Sequence, residues 1–166
     1  MISLVRVDNR LIHGQVIEAW LPYLKVGRVL VADDQAAGNP LARAAMGLAV
    51  PRRVQVDVQP LGETDFAALE RSPEPILLVV RDISGVLFAR GRGLVCRALN
   101  LGNVHFAPGR AQVTPSVFLS QEEVASLEEL AAGGMQIEIR AVPRERPLTF
   151  AEILTRLAAH PAEPKA

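Results

Sequence analysis

The run Ile76-Leu77-Leu78-Val79-Val80 is the tightest constraint in this 166-residue chain. Five consecutive aliphatic residues place apolar side chains on both faces of an extended segment. A strand with one wet face alternates apolar and polar residues. A strand without alternation needs cover on both sides, which a parallel sheet between helical layers supplies. Comparable apolar or β-branched runs recur at 2–7, 28–33, 53–58, 94–101, 113–119 and 135–142.

Helical signals fall between these runs. Val16, Ile17, Trp20, Leu21 and Leu24 have helical spacing, and Pro22 is expected to end or kink that segment. Asn39-Pro40 reads as a cap followed by proline at the first helical position. Ser120-Gln121-Glu122-Glu123 and Thr149-Phe150-Ala151-Glu152 are capping boxes, and Gly133-Gly134 stops the first of these helices. Asp82 and Thr64 are expected to cap two more. The β-α alternation predicts an α/β fold: an open, mostly parallel, twisted sheet with helices on both faces. Residues 1–160 form a single domain in this reading, and 161–166 a flexible tail.

Composition narrows the function classes. Formal net charge is zero and there is no polybasic run, so the footprint of a nucleic-acid or anionic-membrane binder is missing. No apolar stretch approaches the roughly 20 residues of a membrane helix. The first residues lack the pattern of a signal peptide. Cys96 is the only cysteine, which excludes an intrachain disulfide and suits a buried packing position. A cytoplasmic location is the expectation.

Ligands of open α/β sheets bind beyond the carboxyl ends of the strands. That rule selects Asp8–Gln15, then Asp33-Asp34, then Asn100-Leu101-Gly102-Asn103. The first stretch is the richest, with Asp8, Arg10, His13 and Gln15 within eight residues. It leads into a helix, whose first amides favour an anion. Gly14 permits close backbone approach, and Arg10 could clamp a phosphate. A histidine here suits phosphoryl transfer, which is mainly positioning and charge stabilisation. On residue types alone, a solvated loop histidine fits as well. Asp33-Asp34 fits either an accessory acceptor or a solvated turn. There is no Walker pattern and no metal-ligand spacing among His13, His105 and His160, so neither a cofactor nor a metal is expected.

The stretch Arg6-Val7-Asp8-Asn9-Arg10-Leu11-Ile12-His13-Gly14-Gln15-Val16 resembles the N-terminal signature of the IIB component of the mannose/fructose/sorbose phosphotransferase family. The likeness continues at 29–34, 100–106, 112–119 and 134–143, which is nearly the whole chain. The resemblance implies a phosphoryl carrier. His13 would accept the group on Nδ1 from a IIA phosphohistidine and pass it to a sugar bound by membrane IIC and IID components. It implies that Arg10 steadies the phosphate and that Asp8, Asn9, Gly14 and Gln15 support the loop. Asp33, Asp34, Gly102 and Asn103 are accessory candidates.

Two departures stand out. Asn9 takes the place of a second aspartate, which removes a negative charge near the phosphate and should favour retaining it. Val104 takes the place of a common methionine. The alternative to transport is a regulatory module whose partner binding responds to His13 phosphorylation. For partner docking, exposed apolar surface is expected around Leu11 and Ile12, with inward packing the alternative for Ile12, and Arg28, Arg81 and Arg110 as a positive rim. The chain itself leaves the sugar and the oligomeric state open.

Overall fold

A computed structural model describes residues 1–95 and 97–162. Cys96 and residues 163–166, most of the expected tail, lie outside the described residues. The strands are β1 (Ile2–Asp8), β2 (Arg28–Ala32), β3 (Gln55–Gln59), β4 (Ile76–Val80), β5 (Ala98–Asn103), β6 (Ala111–Thr114), β7 (Val117–Leu119), β8 (Gln136–Ile139) and β9 (Leu148–Thr149). The main sheet has seven strands in the order β3-β2-β4-β1-β5-β8-β9. All its pairings are parallel except β8 with β9. The expected open, mostly parallel sheet is therefore present, closed at one end by a short antiparallel strand.

The central strand β4 is the unalternating run, and all five of its residues are buried. Its neighbours show why. Leu78 and Val80 pack on one side with Phe66, Ile83, Val86 and Leu127. Leu77 and Val79 pack on the other with Val16, Trp20, Leu21 and Ala36. The second of these layers comes from a π-helical segment, Val16–Trp20, that continues into α1 (Leu21–Leu24), and from α2 (Asp34–Ala37). Helix α3 (Pro40–Ala49) follows α2 and is the least buried element, with no fully buried residue. Helices α4 (Phe66–Glu70), α5 (Ile83–Gly91), α6 (Gln121–Ala132) and α7 (Phe150–Ala159) supply the opposite layer.

Both capping boxes form as read. Asn39 caps α3 and Asp82 caps α5. Three expectations change. Thr64 is not a cap: its hydroxyl donates to the Pro60 carbonyl, and Asp65 caps α4 instead. Pro22 does not end its helix. The turn before it is widened, with the Leu21 amide donating to the Val16 carbonyl five residues back. A wide turn accommodates a ring that lacks an N–H and crowds the preceding turn. Finally, 113–119 is not a strand of the main sheet. The chain turns at Pro115-Ser116, so that β6 and β7 pair antiparallel with each other as a separate hairpin.

The loops at the carboxyl ends of β1, β2 and β4 are tied together. Asp33 follows β2, is nearly buried, and accepts from the Ala36 amide at 2.8 Å as cap of α2. It also accepts two bonds from the Arg81 guanidinium, at 2.6 and 2.7 Å. Arg81 in turn donates to the Asn9 carbonyl at 3.2 Å. Burial pushes the Asp33 carboxyl up, but the bonds from Arg81 and the Ala36 amide outweigh it and hold the carboxyl below its ordinary value. A depressed folded-state value adds stability above the unfolded value, and this is lost as pH falls through the folded value. Asp33→Ala should therefore cost about 2–4 kcal/mol at neutral pH by urea unfolding. The gap to the wild type should shrink below about pH 4, and a gap independent of pH would contradict this account.

Candidate functional site

Side-chain alternation along three neighbouring strands builds the floor of the site. In β1, Val5 and Val7 face the core under α5 and α6, while Leu4 packs on the face that carries Trp20. Period-two geometry sends Arg6 and Asp8 to that same face. In β5, Leu99 and Leu101 take the core side and Asn100 and Gly102 the other. In β8, Ile137 and Ile139 are core and Glu138 is not. The register aligns Arg6 with Asn100 and Asn100 with Glu138. A polar row therefore crosses the sheet beneath the Trp20 helix.

Arg6, Asp8 and Asn100 are all fully buried. The Arg6 Nη2 donates to Asp8 Oδ2 at 2.8 Å, and Nη1 donates to Asn100 Oδ1 at 2.5 Å. The Asn100 side-chain Nδ2 donates to the Arg140 carbonyl at 3.0 Å. The Trp20 ring lies 5.2 Å from the Arg6 guanidinium and 5.2 Å from that of Arg140, within cation–π range of both. Its indole N–H donates to the Ala141 carbonyl at 2.8 Å. Gly102 is required here, because a β-carbon at that position would collide with the Arg6 guanidinium.

Asp8 carries this buried row to the loop. Its Oδ1 accepts from the Arg10 amide at 3.1 Å and from Arg10 Nε at 3.4 Å. Its Oδ2 lies 2.7 Å from His13 Nε2. Burial pushes the Asp8 carboxyl up, but the hydrogen bond from His13 and the Arg6 charge outweigh that, and the carboxyl stays below its usual range. For Arg6 the balance runs the other way: burial lowers its pKa more than Asp8 raises it. An arginine so lowered is still charged at neutral pH, so the pair is ionic.

An ionised carboxylate only accepts hydrogen bonds. The 2.7 Å contact therefore requires the proton on His13 Nε2. In the neutral ring, Nδ1 then carries the free lone pair. The histidine side chain is 17% exposed, so it sits at the surface without projecting freely. Its carbonyl accepts from the Ile17 amide at 3.1 Å, which places His13 at the start of the helical stretch. Arg10 is 44% exposed, and its Nη2 donates to Gln15 Oε1 at 3.1 Å. The guanidinium is thus parked beside the histidine with part of its surface in solvent.

The loop between them is tightly held. The Leu11 amide donates to the Asp8 carbonyl at 2.9 Å, and the Asn9 amide donates to the Asn103 carbonyl at 3.2 Å. Leu11 adopts a φ of 58°, a conformation that costs a leucine about 1–3 kcal/mol and persists only where the surroundings impose it. Here they do, because the Leu11 side chain is buried against Val16, Trp20 and the second-layer core.

The expectation that Leu11 is exposed for docking is thus corrected. Ile12 is partly buried against the same cluster. Gly14 and Gln15 open the helix, and nothing crowds a β-carbon at Gly14. Asp33 acts on the loop through Arg81 and Asn9, while exposed Asp34 accepts from the Leu61 amide at 2.8 Å. Of the three rim arginines, Arg81 reaches the loop. Arg28 pairs with Asp57, and Arg110 with Glu123. Val104 is buried and bridges to Val117, so its side chain belongs to the core. His105 and His160 are exposed away from this network. Asn9 Oδ1 is buried without a hydrogen-bond partner among the described residues.

Arg6, Trp20 and Arg140 were not singled out from the sequence as site residues, and Asn100 entered only as the first residue of the stretch 100–103. The signal was available in the alternations Val5-Arg6-Val7-Asp8, Leu99-Asn100-Leu101-Gly102 and Ile137-Glu138-Ile139-Arg140. Each places polar groups on one face of a strand that must be covered.

The chain's comparisons with known proteins agree with one another. The family described as the sorbose subfamily IIB component of the PTS system matches residues 2–163. The chain is 29% identical over 156 residues to N-acetylgalactosamine-specific phosphotransferase enzyme IIB component 2 of Escherichia coli K12, covering 92% of this chain and 98% of that one. It is 25% identical over 164 residues to the mannose-specific EIIAB component of the same organism, covering 95% of this chain and 49% of that longer protein. The crystal structure of the IIB domain of the sorbose permease from Klebsiella pneumoniae superposes with a TM-score of 0.83 at 25% identity, over 93% of this chain and 96% of that one.

The tautomer argument makes a direct prediction. Asp8→Asn offers an amide that can donate to Nε2, which shifts the ring proton to Nδ1. Reactivity at Nδ1 should fall about 10²–10⁴-fold while the fold survives, read as the rate of Nδ1 modification by phosphoramidate. An unchanged rate in a folded Asp8→Asn protein would contradict the assignment.

Proposed function

The chain belongs to the sorbose subfamily of phosphotransferase-system IIB components, and from that premise we propose that His13 is its phosphoryl-carrying residue. The observation that carries the reading is the 2.7 Å contact from Nε2 to buried Asp8, which leaves Nδ1 as the nucleophile. The chain is a phosphotransferase component of sugar transport, as are its relatives by name.

The steps follow from that geometry. The Nδ1 lone pair attacks the phosphorus of a donor phosphohistidine on a IIA component. A new P–N bond forms as the donor's P–N bond breaks, and the donor nitrogen keeps the electron pair. The positive charge gained by the His13 ring is balanced by Asp8 through the Nε2–H bond. Arg10 can turn from Gln15 to meet the phosphoryl oxygens, which a guanidinium grips in bidentate fashion. In the second half, a sugar hydroxyl attacks phosphorus, a P–O bond forms as the P–N bond breaks, Nδ1 regains its lone pair, and the hydroxyl proton passes to water. The sugar is held by membrane IIC and IID components. The relatives' names span N-acetylgalactosamine and mannose, so the IIB fold alone does not set the sugar.

No helix among the described residues is long and apolar enough to cross a membrane. In this reading the chain works in the cytoplasm and meets the membrane through its partners. Gly14 and Gln15 border a groove completed by Glu18, Tyr23, Pro143 and Arg144, which opens beside His13. That groove gives an approaching partner a surface beginning at Gly14, the residue after His13.

The test is reconstitution with phosphoenolpyruvate, the general phosphotransfer proteins and a IIA partner. The wild type should take up one acid-labile, base-stable phosphoryl group, and His13→Ala should take up none. Arg10→Ala should slow transfer by about 10–10³-fold without a matching loss of stability. Undiminished labelling of His13→Ala would overturn the assignment.

A further inference from the structure

We infer that Arg6, which acts on His13 through Asp8 Oδ2, is the positioning residue of the site: wedged against Trp20 and Gly102, it fixes the Asp8 carboxylate so that His13 keeps its proton on Nε2 and its lone pair on Nδ1. This rests on reading His13 as the phosphoryl carrier.

The Asp8 carboxylate has no freedom to spare. Its Oδ2 is shared by Arg6 Nη2 and His13 Nε2, and its Oδ1 by the Arg10 amide and Arg10 Nε. Rotating the carboxylate breaks several bonds at once. Three of those four donors belong to the loop after β1, two from Arg10 and one from His13. Arg6 belongs to the strand, and it is the donor that the rest of the protein holds rigid.

The rigidity has identified sources. Arg6 Nη1 donates to Asn100 Oδ1 at 2.5 Å and to the Arg140 carbonyl at 3.4 Å. The Trp20 ring covers the guanidinium at 5.2 Å. Only glycine at 102 leaves room for it. Arg6 Nε is buried and has no hydrogen-bond partner among the described residues. An arginine kept fully buried with one donor unmatched is stabilised by its charge, not by a complete set of hydrogen bonds. That charge is directed at Asp8.

The consequence for His13 follows from where the protons sit. Without the Arg6 charge, buried Asp8 and half-buried His13 together hold a second proton more tightly. That proton can stay on the ring, giving an imidazolium with both nitrogens protonated. Alternatively it sits on Asp8, which then donates to Nε2 and moves the ring proton to Nδ1. Both arrangements occupy Nδ1 and remove the nucleophile. Acceptance returns only when alkali takes that proton away. The other charged groups around the pair are Arg10 from the loop, Glu138 and Arg140 at the end of β8, and Glu145 beyond it. Arg140 is paired with Glu138, and Glu145 accepts from the Ala141 amide. On the helix above, Glu18 faces the neighbouring groove. None of these replaces Arg6 at Asp8 Oδ2.

The experiment measures the rate of phosphoryl acceptance from a phosphorylated IIA partner across about pH 5 to 9, with ¹⁵N NMR of the histidine rings in the unphosphorylated full chain. The variants are Arg6→Met, Arg6→Lys and Gly102→Ala. Arg6→Met should move the midpoint of the rate–pH profile to higher pH by about one unit or more, with recovery at the alkaline end. Its His13 ring should show a protonated Nδ1 at neutral pH. Gly102→Ala, which pushes the guanidinium aside without removing it, should move the profile in the same direction. Arg6→Lys, which keeps the charge, should restore the profile most of the way. A purely structural role would lower the rate at every pH and leave the midpoint in place. Folded variants with a wild-type midpoint and an unprotonated Nδ1 would overturn the inference. If Arg6→Met does not fold, Gly102→Ala decides. If the wild type accepts no phosphoryl group at any pH, the carrier reading fails. The NMR comparison then still decides whether Arg6 sets the tautomer.

Discussion

The ion pair between Arg6 and Asp8 is the interaction on which this site depends. Both side chains are fully buried and 2.8 Å apart. Charges taken out of water are costly unless matched and hydrogen-bonded, and breaking such a pair typically costs about 3–5 kcal/mol. The surrounding residues supply what is needed: Asn100 as acceptor, Trp20 as a π face, Gly102 as space. A well-packed apolar pair would serve stability as well. Its presence at the carboxyl end of β1 is better explained by what Asp8 does at its other edge, where it meets His13.

This arrangement divides the work between a rigid sheet and a short loop. The strands β1, β5 and β8 fix Arg6, Asn100 and Asp8 by register, so the acceptor for His13 is set by the fold. The loop contributes the His13 ring and the more exposed Arg10. It is restrained from three directions: Leu11 is anchored in the core in a strained backbone conformation, Arg81 grips the Asn9 carbonyl, and Asn103 takes the Asn9 amide. The resulting site holds Nε2 of the histidine against Asp8, and in the proposed reading it leaves Nδ1 to a partner. Phosphoryl exchange between proteins requires both.

Much of the fold could be read in advance because it rests on local patterns. The unalternating run at 76–80 demanded cover on both faces, and the caps at Asn39, Asp82, Ser120 and Thr149 marked helix starts through residues whose side chains bond to nearby amides. The errors came where tertiary context outweighs local pattern. Pro22 sits inside a helix that adapts by widening, and 113–119 folds back as a hairpin because Pro115 and Ser116 turn the chain. Thr64 lost the capping role to the adjacent Asp65. His13 and Arg10 stood out because they lie in one contiguous stretch beyond a strand end, and the structure sets both against Asp8. Arg6 was harder, since an arginine within an apolar strand reads as an interruption until Asn100, 94 residues away in the chain, is brought alongside. Asp33 and Asp34 read equally as accessory acceptors or as a solvated turn, and they accept from Arg81 and from the Leu61 amide respectively. Leu11 looked like a docking residue because loops are usually wet, and its burial follows from the tight turn that returns the chain to the Trp20 helix.

The central claim is that Asp8 holds Nε2 and leaves Nδ1 to carry the phosphoryl group. Two-dimensional ¹H–¹⁵N and ³¹P NMR of the phosphorylated, ¹⁵N-histidine-labelled protein tests it most directly. The account predicts phosphorus coupled to Nδ1 of His13, with a slowly exchanging proton on Nε2. Phosphorus on Nε2, or on a histidine other than His13, would contradict it.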